Sequence, residues 1–337
     1  MKSQFLLKQG RRLIGLSLGI AILIIISLLI MEKSQVLAKE YPLRPINIIV
    51  SWPPGTSTDL VPRIMAPKFS IRWGVPVNIT NKPGGSGLVG AYEAVNAAPD
   101  GYTVLVEAPG ISSVPYAWVE RLPFDVENRI YIARAAFTPL AIIVRGDAPW
   151  KTMEDIEKEI RNNPASFRWS LSGGSAATDV PTAQFKNALA AKGVDLSKTK
   201  TVNFQGTAQI MTALGGGHVD IAIGGQASGG AMLTTGRARV IAVCSDQRIK
   251  YWPDVPTTAE QGFPSVNFTY WVGYSAPPGF PQKLREIWIE AVKAVMADSE
   301  ILEKLDKLGV VPAFLGGDDF KNFVINEGKS IKALKLR

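Results

Sequence analysis

The sequence predicts an α/β protein of two hinged domains with a ligand cleft between them. Three observations carry this. Short apolar runs alternate with helical patterns, which implies a mainly parallel sheet with helices on its faces. A second such set follows the first and is complete in itself. A late strand pattern, NFTYWVGYSA at 267–276, comes after that second set. Returned to the first sheet, it makes the chain cross between domains twice, near residues 140 and 267, which is the construction of a hinge. The division is therefore residues 39–140 plus 268–337 for one domain and 141–267 for the other, since 337 residues exceed what one core ordinarily serves.

In chain order, Lys2, Lys8, Arg11 and Arg12 precede an uncharged run from Leu13 to Ile30, with small residues near Ala38. A basic flank, an apolar run and small residues spell a secretory signal over 1–38. The run is also long enough to span a bilayer, so an uncleaved anchor is the alternative. Either way the basic flank stays inside and the folded body is expected outside the cytoplasm, in the periplasm or on the outer face of the membrane. No Cys stands in MEKSQVLA (31–38) just after the run, so no lipid anchor is expected.

INIIVS (46–51), VPVNIT (75–80) and TVLVE (103–107) read as buried strands, each followed by a Gly/Pro/Ser loop and a helical segment. Pro62 and Pro67 are expected to shorten or kink the first helix. The second set has strands at 140–145, 167–171, 201–204, 219–223 and 239–244, with helices at 153–162, 178–191, 209–214 and 227–235. The tail reads as largely helical: 281–297 carries Leu284, Ile287, Trp288, Ala291, Val292 and Val295 on one face, and Gly309 stops the next short helix.

Composition removes whole classes of function. Hydrophobic residues make up 46% and charged residues 20%, which excludes disorder. The formal charge is +8, and residues 1–38 hold +4 of it. The body is thus only mildly basic and has no basic run that would track a nucleic-acid backbone, so no nucleic-acid partner is expected. One His (His218) and one Cys (Cys244) exclude a multi-histidine zinc site and an intramolecular disulfide framework. His218 reads as a surface turn residue and Cys244 as a buried small hydrophobe. With no H-E-x-x-H, no G-x-x-x-x-G-K-[ST] and no G-x-S-x-G, no catalytic residues are assigned. Neither enzyme activity, metal nor cofactor is expected.

What the body does have is loops of glycine and hydroxyl residues at the starts of helices. In SWPPGTSTDL (51–60), Gly55 allows close backbone approach, one of Thr56, Ser57 and Thr58 is expected to cap the helix, and Asp59 lies in its first turn. Helix N-termini of this kind favour an anion such as a carboxylate. SLSGGSAATD (170–179) repeats the theme in the second domain with Ser172, Gly173, Gly174, Ser175 and Thr178. Trp52 and Trp271 neighbour loops, with core packing as their default role. In NKPGGSGLVG (81–90), Gly85, Gly87 and Gly90 fit G-x-G-x-x-G, and Glu107 lies at the distance of a ribose-binding acid. An exported dinucleotide binder is a remote alternative on that pattern.

These residues resemble the substrate-binding proteins of tripartite tricarboxylate transporters, the Bug family. The resemblance is carried in order by YPLRPINIIVSWPPGTSTDLVPRI, NKPGGSGLVGAYEAVNAAPDGYTVLV, FQGTAQIMTALGGGHVDIAI, SDQRIKYWPDVPTTAEQGFP and WVGYSAPPGFP, and runs from about Tyr41 to about Glu327. It implies a periplasmic-binding-protein-like fold (type II-like) that closes on a small organic anion held by backbone amides and water at facing loops. It also implies delivery to a membrane permease, with docking on a membrane sensor as the alternative, and a monomer. On this reading the ligand lies between Trp52, Gly55, Thr56, Ser57, Thr58, Asp59, Gly85, Ser86, Gly87, Pro109 and Gly110 on one side. On the other are Ser172, Gly173, Gly174, Ser175, Thr178, Gln205, Gly206, Thr207 and Gly225. The chain departs from the family pattern at Thr56, Thr178, Phe204-Gln205 and Gly224-Gly225. Those positions fall in the loops that would face the ligand, so the family's usual dicarboxylate is not carried over.

Overall fold

The computed structural model describes residues 41–172, 176–204 and 206–334. The segment 1–38 lies outside them. Strands β1 (Ile46–Val50), β2 (Val77–Asn81), β3 (Thr103–Glu107), β4 (Ile130–Pro139), β10 (Thr269–Ala276) and β11 (Val311–Gly316) form one sheet in the order β11-β4-β10-β3-β1-β2. Strands β5 (Ala141–Arg145), β8 (Ala222–Gly224) and β9 (Ala238–Val243) form a second sheet, and β6 (Arg168–Leu171) pairs with β7 (Lys200–Asn203). The β6–β7 pair continues beside the chain leading into β8: Ser170 Oγ donates to Ile221 O at 2.8 Å and Asp220 N to Arg168 O at 3.0 Å. The chain passes from the first sheet to the second at Leu140, between β4 and β5, and returns just before Thr269.

The expectation of a mainly parallel arrangement is corrected. β1 pairs in parallel with β2 and β3, and β6 with β7, but β3–β10, β10–β4, β4–β11, β5–β8 and β5–β9 are antiparallel. The reason is the crossing itself. β4 carries the chain out of the first sheet and β10 brings it back, so two adjacent strands must run in opposite directions.

β4 and β11 were not legible in the sequence. β4 (IYIARAAFTP) lies between β10 and β11 and is covered on both faces, so it lacks the polar/apolar alternation of a half-exposed strand. β11 is the edge strand of its sheet and contains Pro312, which an edge tolerates. Helix α1 (Ser57–Trp73) runs through Pro62 and Pro67 for 17 residues, so neither proline shortens it. It ends at Gly74, whose φ of 69° is the left-handed conformation that closes a helix.

The remaining helices are α2 (Leu88–Val95), α3 (Ser113–Trp118), α4 (Met153–Asn162), α5 (Asp179–Ala191), α6 (Thr207–Gly215), α7 (Gln226–Thr234, kinked at Gly230), α8 (Gln282–Met296), α9 (Ser299–Lys307) and α10 (Gly317–Lys332). One face of the six-stranded sheet packs Ile48, Val50, Val106, Ile132 and Val272 against Phe69 of α1 and Trp288 of α8. The other face packs Tyr131 and Trp271 against Phe320 and Val324 of α10, and Ile49 and Leu105 against Ala91 and Ala94 of α2. A separate core holds Ile142, Trp169, Phe185, Ile223 and Phe263, and it is joined by Val114 of α3 and Ile331 of α10. No helix among the described residues is long and apolar enough to cross a membrane.

Candidate functional site

Three loops at the carboxyl ends of β1, β2 and β3 are gathered by Trp52. A Cβ on Gly87 would lie 2.7 Å from Ile111 Cγ2 and 3.2 Å from Trp52 Cζ2, and one on Gly110 3.1 Å from Trp52 Cζ2. The indole therefore fits between the two turns only because both positions are glycine. Residues 84–87 all have positive φ, at 136°, 53°, 56° and 90°, and Ser86 is the one non-glycine in that state among the described residues. A serine there carries a backbone strain of about 1–2 kcal/mol, held by the Gly87 N–H donating to Gly84 O at 2.9 Å. Pro109–Ile111 forms a short turn over a buried network. Beneath it, Glu107 Oε1 accepts from Arg129 Nη1 at 2.6 Å and Ser275 Oγ at 2.5 Å, Glu107 also accepts from Ser112 Oγ, and Arg129 Nη2 donates to Ile111 O at 2.8 Å. Glu107 and Arg129 are fully buried, so Glu107 is no ribose ligand, which removes one of the two features behind the dinucleotide alternative.

The first loop is shaped by Asp59. Its carboxylate is buried and accepts from Gly55 N at 2.9 Å, Arg63 Nε at 2.8 Å and Asn81 Nδ2 at 2.8 Å. Burial opposes its ionisation, and the Arg63 guanidinium with the Gly55 and Asn81 N–H groups more than offset this, so it is held below the usual carboxylate range. Asp59 thus fixes the shape of the loop. Thr56 occupies the N-cap but does not cap: its hydroxyl donates to Pro53 O at 3.1 Å and lies 3.3 Å from Thr58 Oγ1. Asn81 Nδ2 also donates to Trp52 O at 2.9 Å, so β2 holds the loop from its other side.

The second unit repeats the device. Asp179, in the first turn of α5, accepts from Ser172 N at 2.5 Å and Ala176 N at 3.0 Å. Thr178 at the N-cap makes no capping bond. Gly173, Gly174, Ser175 and Gln205 lie outside the described residues. Gly206 and Gly225 are the N-caps of α6 and α7, and neither helix has a side-chain cap. By contrast α4 has a full capping box from Thr152 and Asp155, and α9 is capped by Asp298.

Two of the expected loops meet at the crossing strands. In the β4–β10 register Thr138 stands opposite Tyr270. Burial pushes the Tyr270 phenol up to about 12, and the nearby Thr58 hydroxyl of α1 opposes that shift. On the other side a Cβ on Gly225 would lie 2.8 Å from Thr138 Cγ2 and 3.3 Å from Pro139 O. Thr58 at the start of α1 and Gly225 at the start of α7, in different units, therefore both lie beside the Tyr270–Thr138 pair. Thr138 and Tyr270 were missed because nothing in their local sequence marks them; only the pairing of β4 with β10 places them here. His218 is exposed at a turn. Cys244 is buried, with its thiol pushed up to about 12 by desolvation. Trp271 is core, and its Nε1 donates to Glu327 at 2.8 Å. No group of three or more metal-ligating side chains occurs among the described residues.

Residues 61–335 match the family model described as the tripartite tricarboxylate transporter family receptor. A UPF0065 protein of Bordetella pertussis is 28% identical over 297 residues, covering 88% of this chain and 90% of that protein. Among solved structures, the periplasmic binding protein BugD is 26% identical with a TM-score of 0.72, covering 87% of this chain and 96% of that one. MatC from Rhodopseudomonas palustris, solved with bound malate, shares the fold at 23% identity and a TM-score of 0.73, covering 87% of this chain and 99% of that one. On these matches the chain belongs to the TctC family of tripartite tricarboxylate transporter receptors, the Bug solute-binding proteins, which bind and deliver rather than catalyse.

Proposed function

We propose that this chain captures a small organic carboxylate between residues 39–140 plus 268–337 on one side and 141–267 on the other, and presents it to a membrane permease. The supporting observation is that the α1 N-terminus, which has no side-chain cap, and Gly225, the N-cap of the kinked α7, both lie beside one pair of crossing strands. A helix start offers unsatisfied N–H groups and the positive end of its dipole, which favour an anion without a basic side chain. The loops 52–59, 84–87, 109–110, 172–178, 205–207 and 225 supply the remaining donors. Closure about the two crossings follows if the ligand bonds both sides, because only the closed state makes both sets of contacts. The protein acts as a monomer outside the cytoplasm, exported through the basic and apolar segment 1–38.

The test is a thermal-shift screen of the body, residues 39–337, against malate, adipate, aromatic acids and amino acids. A carboxylate present at a hundredfold its Kd is expected to stabilise the protein by about 2.7 kcal/mol. If no carboxylate raises the melting temperature, the proposal fails.

A further inference from the structure

Thr138 sits where the two units come together. It is 5% exposed, and its hydroxyl has no hydrogen-bond partner among the described residues. One neighbour is Tyr270, its register partner on β10, which lies near Thr58 in the first turn of α1. The other is Gly225, the N-cap of α7, close enough that a Cβ there would lie 2.8 Å from the Thr138 methyl. The packing uses the methyl, and valine would fill the same volume. A buried hydroxyl without a partner costs stability, so folding alone gives no reason for threonine here.

We propose that Thr138 Oγ1 is a ligand-positioning group, donating a hydrogen bond to a carboxylate oxygen held between the starts of α1 and α7. This rests on the proposed function and deepens it. Thr138 is the second-last residue of β4, next to the crossing at Leu140. A ligand bonded there is fixed to the strand about which the units move, so its end is held at one depth in the cleft while both helix starts close on it. Selection by ligand length follows, because the far end must then find its donors at a set distance.

The experiment uses residues 39–337 as wild type, Thr138→Val and Thr138→Ser, with melting curves without ligand and calorimetry against malate, adipate and any other carboxylate that stabilises the wild type. Thr138→Val is expected to melt at or above the wild-type temperature yet bind at least about tenfold more weakly, the loss expected for a hydrogen bond to a charged group. Thr138→Ser keeps the hydroxyl and is expected to stay within about threefold. Should Thr138→Val not fold, Thr138→Ala gives the same affinity reading. Wild-type affinity in the variant lacking the hydroxyl overturns the inference and leaves the proposed function standing. Absence of carboxylate binding by the wild type overturns the proposed function, and this inference with it.

Discussion

Two buried aspartates do the same work in the two units. Asp59 and Asp179 each lie in the first turn of a helix and accept from backbone N–H groups of the loop before it. In this way each loop takes its shape from a carboxylate of the helix it leads into, while the N-cap residue makes no side-chain capping bond. Asp59→Asn removes the charge that binds Arg63 and Asn81, and is expected to lower stability by about 1–3 kcal/mol at pH 7 in urea unfolding. The sign with pH follows from the depressed value. The stabilisation is complete above the unfolded carboxylate range and is lost as pH falls through the lower folded value. The gap between variant and wild type should therefore close in melts taken below about pH 4.

Helix α10 serves more than the sheet it covers. Phe320 and Val324 pack on Trp271 and Tyr131, and one turn further on Glu327 joins three elements by accepting from Ser113 Oγ of α3 at 2.5 Å and Trp271 Nε1 of β10 at 2.8 Å. Burial pushes the Glu327 carboxyl up to about 7, against the pull of those hydrogen bonds and of Arg134. The native state then keeps a proton that the unfolded chain releases near pH 4.5. The contribution of this group to stability falls as pH rises from about 4.5 to 7 and levels off above that. Glu327→Gln keeps an acceptor for both donors. It is expected to match the wild type at pH 5 and to exceed it by about 2–3 kcal/mol at pH 8, measured by chemical denaturation at the two pH values.

The molecule as a whole is tied together at the crossings and again at its carboxyl end. Ile331 of α10 is 2% exposed and belongs to the core built on Ile142, Trp169 and Phe185, although its helix lies on the six-stranded sheet. Ile331→Ala is expected to cost about 2–4 kcal/mol, the range for opening a cavity in a packed core. Because α10 is shared by both cores, circular dichroism and tryptophan fluorescence should report one common unfolding transition, shifted as a unit in the variant. A loss confined to one probe would show that the helix does not couple the units. The Lys250–Asp306 ion pair, 2.7 Å between the two units, is too exposed to do this alone.

Much of this was legible in the residues. The apolar runs at 46–50 and 103–107 and the helix at 153–162 stand where the pattern put them, because each has a local signal: a buried β run, or a capping residue followed by an amphipathic face. The ordered motifs from Tyr41 onward were enough to place the chain in its family. What only the tertiary structure decided was everything that depends on neighbours. The antiparallel direction of half the first sheet follows from the return of β10, and β4 escaped notice because burial on both faces erases alternation. That Asp59 gathers Gly55, Arg63 and Asn81 on its carboxylate is visible only in the folded chain. Thr138 and Tyr270, more than 130 residues apart, become partners only through strand register. Local sequence specifies which residues make a helix start or a glycine turn; where two such starts converge is set by long-range pairing, which no window of sequence contains.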